Sequence, residues 1–313
     1  MKISIDSGHR YNKGYNGDTF NVFPAIVGEA HAGFIEEQSQ EQEITIDGHR
    51  WFVGDSAIVQ SQFQQSGNNA EWAFGEGYKA LLLYGIAHFI PEDAHTRSVD
   101  LVTGLPIADL GNREKLTELY QRSFTVSQPH RPGSLKININ SIEWQPQGFA
   151  PIRPYLKTDR GMNEITIVID LGSRNIGHIM VKGKRIVKNG KSDSVENMGA
   201  TPTINAIIKK VADDTGRTYS FYEVQDVINT GRADYKGVKF DVADIITNHR
   251  QEYGNQILSY LSGLFGDDLN KANDIIIVGG GDYLIGDFIQ TRYPYQVRRS
   301  ESPQLATVKA QWS

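Results

Sequence analysis

Two β-rich runs, far apart in the chain, end in the same turn. Ile3-Ser4-Ile5 leads into Asp6-Ser7-Gly8, and Ile165-Thr166-Ile167-Val168-Ile169 leads into Asp170-Leu171-Gly172. The two aspartates lie about half of the 313 residues apart. After each turn comes more β signal, and only later helical periodicity. A chain that twice begins with strands and then supplies helices folds most simply as two α/β lobes, each packing helices on a sheet. The pattern is that of a diverged internal duplication, with no short-period repeat or low-complexity tract beside it.

Short-range signals place the remaining elements. Val22 to Gly28 reads as a short extended piece. Ile44-Thr45-Ile46 and Trp51-Phe52-Val53 flank Asp47-Gly48, which predicts a hairpin with a type I′ turn. Residues 71–90 read as a helix that buries Trp72, Tyr78, Leu81, Leu82, Ile86 and Phe89. Val99 to Pro106 reads as a buried strand closed by a Gly/Pro turn. Asn112 is the expected N-cap of a helix ending near Arg122. Further β structure falls near 135–145, and Pro146, Pro151 and Pro154 mark a domain crossover. In the second half, Ile176–Val181 and Arg185–Val187 form a hairpin around Lys182-Gly183-Lys184. Ile204, Ile207, Ile208 and Val211 give the segment Thr201–Asp214 one apolar face. A long helix is expected over 241–265. A strand at 275–278 follows, running into Gly279-Gly280-Gly281, and then a helix from near Asp282.

These turns suit a metal-bound polyphosphate. Glycine lets the backbone approach phosphate oxygens and tolerates positive φ, and successive N–H groups can form an anion-binding concavity. Lys13 can place a positive charge near the β- or γ-phosphate. Asp6 and Asp170 can hold Mg²⁺ through water, because Mg²⁺ dehydrates reluctantly. A lone Asp-x-Gly at a strand end is most often only a turn, a lone lysine is most often solvated, and a triple glycine can serve close strand–helix packing alone. Their order and spacing carry the joint reading.

Composition narrows the classes. Hydrophobic residues make up 39% and aromatic residues 10%, as in ordinary globular cores. A net charge of −5 argues against a primary role in coating nucleic acid. With no cysteine, disulfides and thiolate metal sites are excluded. The chain enters a strand almost at once, so no secretory signal is expected. The most apolar stretch, Ala80–Ile90, is far shorter than the ~20 residues that cross a bilayer. The expectation is a soluble, cytoplasmic protein.

Taken together, the motifs resemble those of the actin superfamily, above all the ParM/StbA plasmid-segregation actins. Asp6-Ser7-Gly8 with Lys13 is similar to the first phosphate motif, Asp170-Leu171-Gly172 to the second, and Ile277-Val278-Gly279-Gly280-Gly281 to the adenosine motif. Val99 to Pro106 resembles the family's strand ending in Leu-Pro. Gln147, after Pro146, stands where that family places a Gln or Glu that orients the attacking water. Pro303-Gln304 to Ala310 looks like its second connecting helix. The resemblance covers nearly the whole chain. It implies an α/β actin-like fold with two related lobes, four subdomains in all, around a central nucleotide cleft. Domain I would span 1–158 with 300–313 returning to it and a smaller subdomain at about 21–70; domain II would span 159–299. Implied catalytic residues are Gln147, Asp170 and Asp6. Implied nucleotide contacts are Ser7, Gly8, Lys13, Gly172, Ser173, Gly279, Gly280 and Gly281, with Mg²⁺ on Asp6 and Asp170 through water. The implied activity is ATP or GTP hydrolysis coupled to self-association into filaments. These would move plasmid or phage DNA through a ParR-like adaptor, with no direct sequence-specific DNA binding and no membrane. His9-Arg10 and Ser173-Arg174-Asn175 depart from the residues usual after the two turns, which bears on γ-phosphate contacts and hydrolysis rate. A small-molecule kinase of the same superfamily and a non-polymerising nucleotide switch are the alternatives. A chaperone lobe fits least, since no substrate domain follows.

Other residues have plainer readings. The eight histidines show no paired metal-ligand spacing, and His9 reads as a surface or packing residue. Arg292, Arg298 and Arg299 with Tyr293 and Tyr295 read first as a solvated basic face, then as a partner or nucleic-acid patch. Trp51, Trp72 and Trp144 read as core, and Trp312 equally as an exposed contact or a docked end. The Gln/Glu-rich stretch Glu36–Glu43 reads as a mobile loop, in a region that contributes to filament contacts in actin-like proteins.

Overall fold

The computed structural model describes residues 1–30, 42–67, 71–157 and 161–313. The chain divides into two compact units. One is Met1–Ala150 with Leu305–Ser313; the other is Pro151–Gln304.

Among the described residues, the first unit carries ten strands. They are β1 Lys2–Ser7, β2 Tyr11–Tyr15, β3 Phe20–Pro24, β4 Ile26–Glu29, β5 Glu43–Ile46, β6 His49–Val53, β7 Gln64–Ser66, β8 Thr96–Leu105, β9 Ser123–Ser127 and β10 Ser134–Pro146. They form one sheet in the order β3-β2-β1-β8-β10-β9-β5-β6-β4-β7. The helices are α1 Asp55–Gln60, α2 Glu76–Ala87 and α3 Arg113–Tyr120, with most of the C-terminal helix Pro303–Trp312. Asp47 and Gly48 both have positive φ (51° and 83°), the I′ geometry that their sequence predicts for the β5–β6 turn. α2 is buried from Gly77 to Ala87, as a helix apolar all round must be, and its side chains pack with Ile3, Ile5, Val99, Leu101 and Leu105 in one core. Most of the Gln/Glu-rich stretch lies outside the described residues; Glu43 within it is a buried strand residue paired with Arg50 at 2.8 Å.

The second unit holds α4 Arg153–Lys157, β11 Ile165–Leu171, β12 Ile176–Lys182, β13 Arg185–Ile186, β14 Asp193–Val195, α5 Thr201–Thr215, α6 Glu223–Thr230, β15 Arg232–Tyr235, β16 Val238–Asp241, α7 Ala243–Phe265, α8 Asp267–Lys271, β17 Asp274–Val278, α9 Asp282–Arg292 and β18 Val297–Arg299. Its main sheet runs β13-β12-β11-β17-β18, with β14 also on β12. Ile204, Ile207 and Val211 of α5 are buried in its core with Ile257 and Leu261 of α7 and Ile285 and Ile289 of α9.

The two units repeat one plan. β3-β2-β1-β8-β10 and β13-β12-β11-β17-β18 are the same five-strand order. In each, the motif strand is antiparallel to the next strand in sequence and parallel to β8 or β17, which is itself parallel to β10 or β18. The duplication read from two turns is thus present in topology. No helix among the described residues is long and apolar enough to cross a membrane.

One expectation is corrected, and one open pair of readings is decided. Asn112 precedes α3 but makes no side-chain cap. A 3₁₀ turn, Ile107–Asn112, runs straight into the helix, so Asn112 already has helical backbone angles and there is no free first turn to cap. Trp312 is a docked end: its Nε1 donates to the Lys2 carbonyl at 3.3 Å, and its ring meets Tyr15 edge-on.

Candidate functional site

In the first unit, the β1–β2 hairpin sets Asp6 directly across from Lys13. Lys13 Nζ donates to Asp6 Oδ2 at 2.9 Å, and both side chains are buried. The lysine therefore faces the aspartate in this structure. The Gly8 N–H donates back to the carbonyls of Asp6 and Tyr11 at 3.0 and 3.1 Å. Its role is to close the turn, and a Cβ there would press on the Tyr11 carbonyl at 3.0 Å. The Ser7 hydroxyl accepts from Asn12 Nδ2 at 2.9 Å. Behind the turn lies Tyr78 of α2, whose hydroxyl burial pushes its pKa up, beside Thr103 and Ser7. Gln147 follows the end of β10, half-buried, its N–H bonded to the Leu105 carbonyl at 2.8 Å.

In the second unit, the β11–β12 hairpin repeats this turn. The Gly172 N–H donates to the Asp170 carbonyl at 3.1 Å, the counterpart of the Gly8 bond. The residue across from Asp170 is Gly177 rather than a lysine. The cross-strand position that holds Lys13 in the first hairpin thus holds a glycine in the second. The carbonyls of Gly172, Ser173 and Arg174 accept from the N–H groups of Ala200, Thr201 and Gly199 at 3.0, 2.7 and 2.9 Å. The positive N-terminal end of α5 is thereby fixed to the turn that follows β11. A Cβ on Gly199 would fall 2.5 Å from Ser173 and Arg174 backbone atoms, so only glycine fits. Arg174 lies 3.7 Å from Glu196.

The three glycines after β17 differ in purpose. Gly279 has φ of 96°, and a Cβ there would lie 2.4 Å from Asp170 Oδ1. The Gly281 N–H donates to the Leu171 carbonyl at 2.7 Å. Both are shaped by the end of β11. At Gly280 the nearest atom to a Cβ would be Gln304 Cγ at 3.8 Å, so this is the position of the three with room above it. The N–H groups of Gly8, Gly172, Gly279 and Gly281 are bonded within their own unit.

Two of the three arginines in the basic patch are ion-paired. Arg299 grips the buried Asp282 at 2.9 and 2.6 Å and also pairs with Asp287, contacts that hold its pKa up. Arg298 pairs with Asp274 at 3.4 Å. The residues that sequence reasoning passed over are Gly199–Thr201, Tyr78 and Asn12. Gly-Ala-Thr-Pro before an apolar-periodic run was a usable signal, since proline favours the first helical turn.

The family description "Actin like proteins N terminal domain" matches residues 4–149, and "Archaeal actin homologue MreB-like, C-terminal" matches residues 168–291. No curated protein sequence matches the chain. Among solved structures, a 15-stranded ParM filament from Clostridium botulinum matches with 20% identity and a TM-score of 0.82, over 99% of this chain and 97% of that one. An archaeal actin homologue in complex with ADP matches with 18% identity and a TM-score of 0.81, over 99% and 97%. ParM from Bacillus thuringiensis with AMPPNP matches with 17% identity and a TM-score of 0.73, over 98% and 96%.

Proposed function

We propose, because the chain belongs to the actin-like proteins and has their fold, that it binds and hydrolyses ATP or GTP with Mg²⁺ and polymerises into cytoplasmic filaments. The observation that carries this reading is the repeated five-strand plan with an Asp-x-Gly turn at the end of the central strand in both units. The likeness in fold to a ParM filament over 99% of the chain supports the filament, and neighbours solved with ADP and AMPPNP support an adenine nucleotide. Moving plasmid or phage DNA through a ParR-like adaptor is the cargo role that fits such a filament.

The donor set fits the group. Asp6 and Asp170 each stand at the end of the first strand of a motif hairpin, and as carboxylates they would hold Mg²⁺ through its water shell. When bound, Mg²⁺ supplies charge neutralisation at the phosphates. Lys13 would add positive charge at the first hairpin while staying within reach of Asp6. Ser7, Gly8, Gly172, Ser173 and the uncrowded Gly280 would line the phosphates and nucleoside, with Gly279 and Gly281 keeping the Asp170 end of β11 in place. Gln147 would orient the attacking water; a neutral amide positions rather than deprotonates.

Purified protein mixed with ATP or GTP and Mg²⁺ should scatter light, release phosphate and show filaments by negative stain. Asp170→Ala should bind nucleotide weakly and lose hydrolysis by about a hundredfold or more. Nucleotide binding without polymer at high protein concentration would favour the non-polymerising switch, and phosphate release stimulated by a metabolite would favour the kinase.

A further inference from the structure

Gln311, on the C-terminal helix, is wholly buried, and neither its Nε2 nor its Oε1 has a hydrogen-bond partner among the described residues. Buried amides are normally satisfied, so an orphaned one calls for an explanation. Its surroundings supply one. The strand register places Gln145 abreast of Gly104 and Lys13 abreast of Asp6. Ile5 faces Thr103, so the next pair along is Asp6 beside Gly104. Lys13, Asp6, Gly104 and Gln145 thus form one row across β2, β1, β8 and β10. Gly104 leaves a gap in that row. A methyl group there would lie 2.9 Å from Gln311 Nε2 and 3.3 Å from Gln147 Cγ. Both glutamines therefore lean over the same glycine, in the same unit. Gln145 at the end of the row is also buried, with its own Oε1 unpartnered among the described residues.

We infer that Gln311 is a positioning residue for Gln147. Its amide holds the Gln147 side chain, through one bridging water, in the orientation that directs the attacking water. This assignment rests on the proposed hydrolysis. An amide serves here because it both donates and accepts, so it can meet either end of the Gln147 amide. The C-terminal helix is tied down beside it by the Ser4 hydroxyl bond to the Val308 carbonyl at 2.7 Å and by Trp312, which fixes the amide over the row.

The test is Gln311→Leu, a change close in volume that removes only the hydrogen-bonding groups. Expected are an unchanged or higher thermal midpoint, unchanged nucleotide KM, and a kcat at least about tenfold lower, the signature of losing an interaction made only in the transition state. Combined with Gln147→Ala, it should add little further loss, because the two would act as one unit. A lower midpoint would mean that the amide is structural, satisfied by buried water, and would overturn the assignment. So would normal kcat, or losses that multiply fully in the double variant. A wild type that turns over neither nucleotide would instead overturn the hydrolytic reading itself, and the assignment with it.

Discussion

A methyl group on Gly279 would sit 2.4 Å from the Asp170 carboxylate, on a backbone with φ of 96°, whereas Gly280 has room for one. The two adjacent glycines should therefore respond differently. Gly279→Ala should destabilise the second unit by about 2–4 kcal/mol, from left-handed strain and the clash together. Gly280→Ala should stay within about 0.5 kcal/mol in urea unfolding and reveal itself only as weaker nucleotide binding. Equal losses of stability would show that both glycines serve packing. His178 makes a second prediction of this kind. It is buried edge-on between Tyr260 and Phe265, with Nε2 bonded to the Gly190 carbonyl at 3.1 Å and Nδ1 unpartnered among the described residues. Burial pushes its pKa below the usual value, outweighing the Gly190 carbonyl and Asp193, which raise it. The folded state thus resists a proton that the unfolded chain accepts. The associated stability is complete above about pH 6.5 and is lost as pH falls below that value toward the lower folded pKa. The urea midpoint should drop between about pH 7 and 5.5, and His178→Phe should flatten that drop; an unchanged slope in the variant would assign it to other groups.

Arg131 shows how one side chain can finish an element far from it in sequence. It is buried, and its guanidinium donates to the carbonyls of Pro91, Ala94, Ala87 and Ile90 at 2.5, 3.4, 3.3 and 2.9 Å. These include the C-terminal end of α2 and the turn after it, where carbonyls lack helical partners and the dipole favours a cation. Arg131→Ala should cost about 2–4 kcal/mol, and Arg131→Lys should recover little, because one ammonium cannot replace the fork. A loss under about 0.5 kcal/mol would show that water caps α2 equally well. No pattern in the sequence announces this contact, since its partners stand some forty residues upstream. Elements that were legible are those whose cause is local: the Asp47-Gly48 turn, the three- and four-residue spacing of Ile204, Ile207 and Val211, and the apolar run into Gly279. The site divides the same way. Asp6, Gly8, Asp170 and Gly172 could be read because each turn bonds to itself. The grip of Gly199–Thr201 on the second turn could not, because it joins segments that only the fold brings together. Segment 216–240 offers no comparable signal; its α6 has eight residues and its two strands four each, too short for periodicity to stand out.

At the scale of the molecule, each unit has its own core, yet the units differ in continuity. The second is one uninterrupted segment, Pro151–Gln304, whereas the first is completed only by Leu305–Ser313. In that return segment Val308 and Gln311 are fully buried, Val308 accepts from Ser4, and the Trp312 ring fills the space above Gly17. Ending the chain at Gln304 should therefore weaken the first unit by roughly 3–5 kcal/mol, the burial of one valine and most of an indole, and leave the second unit's own core intact. The tryptophans allow the two effects to be read apart. Trp51, Trp72, Trp144 and Trp312 account for all four in the chain, and every one belongs to the first unit. Indole fluorescence thus reports the first unit alone, while far-ultraviolet ellipticity reports both. In the truncated chain the fluorescence transition should move to lower urea, and ellipticity should retain a later transition at the position shown by the isolated 151–304 fragment. If both probes move together through a single transition, the duplicated plan would be one cooperative unit in stability, and its halves would be separable only in topology.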